Sequence, residues 1–428
     1  MQSTIDFQDA LQASYEAIQL ATGNELMKEF RAKAFENFQA QGVPTRKYEE
    51  YKFTPIDRFL KGKIDFLRIN ETTPITQKEV EEHFYEIEGS HLVFVNGQFH
   101  ADWSRIHGDL SLHEIDENFL SGDDQVLGQI ADYEHDPFAA LNHACFTSGI
   151  SIKVASKEKT SVFIYHVIDS RQGQVISQPK VCLEAFANTQ VAIAERLVLI
   201  GDNTLFHNPL TEVLVHENAQ VNLTKVQAYG ESHFVIDGVN VNQKRYSNFT
   251  ANTMSFSGKL VRNNLNIAQL DENCESHMNG LYLLGGTSHV DNHTAVDHKM
   301  PNAYSNEMYK GIVTEKSTGV FNGKIYVRPG AQQTNAFQSN NNISLSDNAT
   351  IHTKPQLEIW ADDVKCSHGC TIGQLDEDAL FYLRARGLDE LTAKAIMLNA
   401  FAQDALTGIP FEVISKEVTE EIANRLAQ

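Results

Sequence analysis

From Ile150 onward, for roughly 215 residues, the sequence runs in short strand-like stretches that no convincing amphipathic helix interrupts. Ile150, Ile152 and Val154 alternate with Ser151 and Lys153, the two-residue period that sends successive side chains to opposite faces of a strand. Similar runs follow at 181–186, 191–200, 213–215, 221–226 and 235–241, and continue at 265–267, 281–284, 325–327 and 351–360. That is more strand than one ordinary sheet of about five or six strands holds. Three turns, Glu217-Asn218-Ala219, Glu272-Asn273-Cys274 and Asp347-Asn348-Ala349, each place an acidic-Asn-small triplet before a strand. Their offsets, 272 − 217 = 55 and 347 − 272 = 75, are not multiples of one period, so they hint at a repeat without defining it. Turns of one kind feeding short strands, with no helical crossovers, point to a parallel β-helix. The amide-rich stretch 339–342 fits, because stacked coils can ladder Asn side chains. A two-sheet sandwich with long connections is the alternative.

Helical spacing governs the two ends. Phe7, Leu11, Tyr15 and Ile18 share one helix face, and Leu26, Phe30, Ala34 and Phe38 repeat the pattern before Gly42 and Pro44 stop it. Asp136-Pro137 followed by Phe138, Leu141 and Cys145 predicts a short capped helix. After Gly373, Leu380 and Leu383 point one way ahead of Gly387. Leu391, Ala395, Leu398, Ala402 and Ala405 make a second stripe stopped by Gly408 and Pro410, and Val418, Ile422 and Leu426 make a third. The expected organisation is a helical and mixed region at 1–148, a β-helix at 149–372 and a helical unit at 373–428. That last unit is also expected to cover the solenoid's open end, where edge groups would otherwise stay unpaired.

Charge and cysteine usage narrow the partners. Against 35 Lys and Arg stand 56 Asp and Glu, a net charge of −21 that repels phosphate backbones and argues against nucleic acid. No basic-then-apolar leader is visible at the start, and no apolar run is long enough to span a bilayer. Cys145, Cys182, Cys274, Cys366 and Cys370 are too few and too scattered for a disulfide framework. The expected compartment is the cytoplasm.

Chemistry-bearing motifs are few. Gly258-Lys259 and Gly323-Lys324 lack the remaining residues of a phosphate loop, so ATP hydrolysis is not expected. On a strand, His289, Asp291 and His293 would share a face, with Asp297 and His298 close by; two imidazoles and a carboxylate could hold zinc or iron. The competing reading is a hydrogen-bonded polar stripe, favoured by Asn292, Asn302 and Asn306. The sharpest feature is Cys366-Ser367-His368-Gly369-Cys370. Thiolate and imidazole are the usual ligands of iron–sulfur clusters and soft metals. On an extended strand Cys366, His368 and Cys370 would share a face, about 7 Å between successive members. The alternative is a turn between strand and helix carrying an inert thiol. Cys145, Cys182 and Cys274 read as packed core residues.

These residues together resemble the SufB/SufD family, on its SufD side. The resemblance is carried by Leu260-Val261-Arg262-Asn263-Asn264-Leu265-Asn266, by Leu281-Tyr282-Leu283-Leu284, and by the segment from His289 to His298. It continues in Tyr309-Lys310-Gly311, Phe321-Asn322-Gly323-Lys324, Val327-Arg328-Pro329-Gly330-Ala331-Gln332 and 353–369. Gly373-Gln374-Leu375-Asp376 and Phe381-Tyr382-Leu383-Arg384-Ala385-Arg386-Gly387 close it. Upstream, 44–54 and Leu92-Val93-Phe94-Val95-Asn96-Gly97 look like the family's N-terminal signatures. Tyr51, where the family often has Trp, and Cys370, where a small residue is expected, depart from the pattern.

The resemblance implies a mainly β chain, a right-handed parallel β-helix flanked by helical regions. It implies a non-catalytic scaffold for iron–sulfur cluster assembly that pairs with SufB, binds the SufC ATPase through its C-terminal helices and holds no tightly bound cofactor when isolated. Tyr382, Leu383, Arg384 and Arg386 would meet the ATPase. His368, with Cys366 beside it and Cys370 as an extra thiol, would face a nascent cluster at the partner interface, with transient iron at His368 and the main cysteine ligand from SufB. Such a partner interface is also compatible with a homodimer of the isolated chain, which the sequence does not decide. Three other readings stand beside this one: a SufB-like paralogue, a β-helix carbohydrate-active enzyme, and a metal-storage module built on His289, Asp291 and His293. The enzyme would need paired carboxylates or a calcium cluster in an open groove.

Overall fold

A computed structural model describes residues 7–61, 64, 74–116, 118–121 and 126–426. Residues 1–6 of the stretch searched for a leader lie outside the described residues. Successive strands alternate between two facing sheets, of ten and eleven strands among the described residues, so each pair of strands makes one turn of a solenoid. The chain is mainly β, a parallel solenoid of about eight turns with helices at both ends, as expected.

The turns are unequal in length, which is why the repeat was hard to see. One turn runs 27 residues, from Phe249 to its neighbour Ser276, and another 32, from Gly319 to Ile351. Asn188, Asn218, Tyr246, Asn273, Asn302 and Gln333 occupy the same corner of successive turns, each left-handed with φ of 57–63°. Asn tolerates that conformation better than most residues. The backbone N–H of Asn218 donates to Arg245 O, that of Tyr246 to Glu272 O and that of Asn273 to Pro301 O, a ladder that stacks the corners. Asn218 and Asn273 are therefore two turns apart at one corner. Asn348 belongs to the opposite corner, between Thr334–Ser344 and Thr350–Ile359, so its offset of 75 could not match.

Inward side chains from both sheets form a continuous apolar core that includes Ile152, Val162, Ile193, Leu223, Val235, Val261 and Met278. One end is closed. Gln98–Phe99 pairs antiparallel with Ser90–Val95, and Leu110–Glu114 pairs antiparallel with Gly149–Val154. Ser90–Val95 itself runs parallel to Thr160–Asp169, so residues before 149 contribute strands to both sheets. The helix Pro137–Cys145 has the expected Asp136 cap, which accepts from the N–H groups of Phe138 and Ala139, and every residue in it is buried.

The C-terminal helices Glu377–Ala385, Glu390–Gln403 and Glu412–Leu426 do not cover the open end, contrary to expectation. They fold back onto the outer face of the ten-stranded sheet, where Leu398, Ala402, Phe411, Val418 and Ile422 pack with Met254, Phe256, Leu281, Leu283 and Ile312. Burial of those outer-face apolar side chains favours docking on the side wall. Polar clips fix the docking: Asn222 and Asn252 donate to Gly408 O at 2.9 and 3.1 Å, and Lys310 Nζ donates to Phe401 O and pairs with Asp404 at 2.6 Å. Leu398, Ala402 and Ala405 are buried as expected, while at the start of the second helix Leu391 is exposed and Ala393 is buried in its place.

Candidate functional site

Because the helices dock on the side, the other end of the solenoid stays open. Thr350–Ile359 and Val364–Gly373 are the last strands of the two sheets, each paired on one side only among the described residues. Both are half-buried or exposed along their length, unlike the strands before them. Such an edge offers a row of free N–H and C=O groups to another strand, and the lone interruption a proline provides is at Pro355. Trp360 (49% exposed) and Ile372 (55% exposed) add apolar surface beside it.

Val364–Gly373 carries the Cys-His motif. Its register sets Cys366 beside Ala336, His368 beside Gln338 and Cys370 beside Asn340. Cys366 packs against the small end cluster of Ile325, Val327, Ala336 and Ala361, so its side chain faces the lumen. Strand alternation then puts His368 and Cys370 on that same face, at the mouth of the lumen. The motif is a strand, and the turn reading is set aside. Cys366 is half-buried and burial raises its thiol pKa, while Cys370 is exposed. The remaining cysteines are buried; burial pushes Cys145 up to about 12 and Cys274 up to about 11, leaving both as thiols.

The histidine–aspartate stripe on His289–His298 is committed elsewhere. His289 Nε2 lies 2.9 Å from Thr54 Oγ1, and Asp291 pairs with Arg262 at 2.6 Å. Arg262, stacked over Tyr51, also donates to His293 Nδ1 at 2.8 Å, while His293 Nε2 meets Glu50 at 2.7 Å. Asp297 takes both of its bonds from Arg328, and His298 points the other way, into the lumen, at Ser305. Burial pushes His289 and His298 down to about 4. The stripe clamps the 49–54 segment onto the solenoid, which is the hydrogen-bonding reading. Among the described residues no group of three or more His, Cys, Asp or Glu side chains is placed to hold a metal ion.

The second candidate surface is the helix Glu377–Ala385, reached from the edge strand through only Gln374, Leu375 and Asp376. Leu380 is its one buried residue. Tyr382 is 58% exposed and stacked by Arg386, Arg384 is exposed and reaches Glu390 at 3.4 Å, and Leu383 is half-buried. Phe381, 75% exposed, was not among the expected contact residues. The inward direction of Leu380 and Leu383 was the signal that would have turned it outward. No helix among the described residues is long and apolar enough to cross a membrane.

Comparisons with known proteins agree along most of the chain. A profile described as the SufBD core domain of SUF-system FeS cluster assembly matches residues 166–401, and one for the SufBD protein N-terminal region matches residues 1–164. A SufBD family iron–sulfur cluster assembly protein of Synechocystis is 31% identical over 406 residues, 90% of this chain and 87% of that one. The iron–sulfur cluster assembly protein SufD of Escherichia coli is 27% identical over 391 residues, 90% of each chain. Chloroplastic protein ABCI7 of Arabidopsis thaliana is 26% identical over 414 residues, 94% of this chain and 85% of that one.

Proposed function

The chain belongs to the SufBD family of iron–sulfur cluster assembly proteins, and from that premise we propose that it is a SufD-type scaffold subunit without a complete catalytic site of its own. The observation that carries this reading is the open end: two unpaired strand edges framing a lumen mouth that holds His368, Cys366 and Cys370. A β-helix partner with an edge of its own, SufB in this reading, would continue the two sheets by strand addition. The nascent cluster is cargo at that junction. Its ligands come from both chains in this reading, because the described residues bring too few donors together to hold iron alone. A second copy of this chain competes for the same edge when the subunit is isolated.

The SufC ATPase docks on Glu377–Ala385, where Phe381 and Tyr382 are the aromatic anchors and Arg384 and Arg386 the rim. Supporting this is the short link from that helix to the edge strand, which makes a pull on one a pull on the other. Alkylation of Cys370 tests the pairing. Its exposed thiol should react quickly in the free monomer and severalfold more slowly once the partner is bound. An unchanged rate in an assembled complex would place the partner elsewhere.

A further inference from the structure

One column of lumen side chains changes character towards the mouth. Parallel register stacks Leu223, Ala251, Met278, Glu307, Gln338 and His368 into one column on the inner face of the ten-stranded sheet. The first three are apolar and buried; Glu307 and Gln338 are equally buried but polar. Gln338 Nε2 donates to Glu307 Oε2 at 2.6 Å, and Thr294 Oγ1 from the facing sheet donates to Glu307 Oε1. These bonds decide which way the Gln338 amide points. Its N–H side is used on Glu307, and its Oε1 is left buried with no hydrogen-bond partner.

An orphaned buried acceptor is costly and rare, so a partner for it is worth finding. The next side chain along the column, one strand spacing of about 4.8 Å away, is His368. Gly323 on the facing sheet makes room for this arrangement, since a Cβ there would collide with Gln338 Nε2. The neighbouring columns offer nothing comparable. Under Cys366 stands Ala336. Under Cys370 stands Asn340, whose Oδ1 accepts from Asn342 at 2.7 Å and whose Nδ2 donates to Tyr282 Oη and Tyr309 O.

We propose that Gln338 is the positioning residue for His368: its free Oε1 accepts from the inner ring N–H of His368, leaving the outer ring nitrogen with its lone pair turned out of the lumen. Neutral imidazole has one N–H and one lone pair, so fixing the first fixes the second. An oriented second group of this kind is how imidazole ligands are commonly held for a metal. Glu307 and Thr294 act one step further back, by holding the amide against a flip. The proposal rests on the reading of His368 as a donor to the nascent cluster, and it adds the residues that prepare it.

The test uses the full-length metal-free chain with isotope-labelled histidine, with the His368 signals assigned by their loss in His368→Ala. Ring-nitrogen chemical shifts should report one dominant His368 tautomer in the wild type. Gln338→Leu should convert it to the exchanging mixture of a free imidazole, and Gln338→Glu, which keeps an acceptor, should retain the single form. The wild-type spectrum is decisive even if a variant fails to fold: a freely exchanging His368 overturns the proposal, as does a tautomer that survives Gln338→Leu. No iron enters this measurement, so a failure here is separable from a failure of His368 in cluster formation.

Discussion

The two ends of the solenoid are built on opposite principles. At the closed end, short antiparallel strands terminate both sheets over an apolar lumen, and the chain spends its edge hydrogen bonds on itself. At the open end the sheets stop without a cap, Glu307, Gln338 and His368 take over a lumen column that is apolar at Leu223, Ala251 and Met278, and the helices that could have covered the end lie on the side wall. A solenoid that only needed to be stable would cap both ends. Leaving one end open, and lining its mouth with an amide, an imidazole and thiols, supports the proposal that another chain completes it.

Acid should have the largest effect, through three buried histidines spread along the solenoid. Burial pushes His143, His289 and His298 down to about 4, whereas in the unfolded chain they titrate near the ordinary value. Between those values the unfolded state binds more protons, so stability falls as pH drops from about 6.5 towards 4. Each imidazole can contribute about 3 kcal/mol to that loss. Thermal melts at descending pH would show a steep fall in Tm across this window; a flat profile would mean that the three rings are hydrated in the native state.

Leu223→Ala, in the apolar part of the same column, should cost about 2–5 kcal/mol by denaturant titration. The polar part should answer with the opposite sign. Burial raises the Glu307 carboxyl to about 7, so between about 4.5 and 7 the folded state binds the extra proton and stability declines as pH rises. Glu307→Gln removes that penalty while keeping hydrogen-bonding capacity. It should stabilise the chain by about 2–3 kcal/mol at pH values above the Glu307 pKa and much less on the acid side of the window. Equal effects in both regimes would show that Glu307 does not titrate there. Smallest of all, Phe381→Ala should alter stability by no more than about 0.5 kcal/mol, as expected for an exposed side chain, yet weaken ATPase capture in a pull-down.

The same contrast explains what could be read from the sequence. Strands such as Lys180–Ala185 and Gln190–Ile200 were legible because inward residues Val181, Leu183, Ala185, Val191 and Ile193 are apolar and the alternation survives. Asn248–Ser257 was missed because helices cover its outer face, so both faces are buried and the period is lost. Tyr304–Val313 and Thr334–Ser344 were missed because their inward residues include Glu307, Gln338, Asn340 and Asn342, which look like loop composition. The common face of Cys366, His368 and Cys370 followed from spacing alone. What that face looks onto did not, since it depends on a register set by turns of unequal length.

Whether the open end takes part in cluster chemistry is decided by the cluster yield of His368→Ala in a reconstituted complex whose assembly is verified by size. Its side chain stands at the lumen mouth and carries none of the docking surface on Glu377–Ala385, so the complex should form as in the wild type. Cluster formation in that intact complex should be severely reduced, with a smaller loss for Cys366→Ala and the smallest for Cys370→Ala. Normal cluster yield from a fully assembled His368→Ala complex would contradict this and make the open end a joint between subunits with no part in the chemistry.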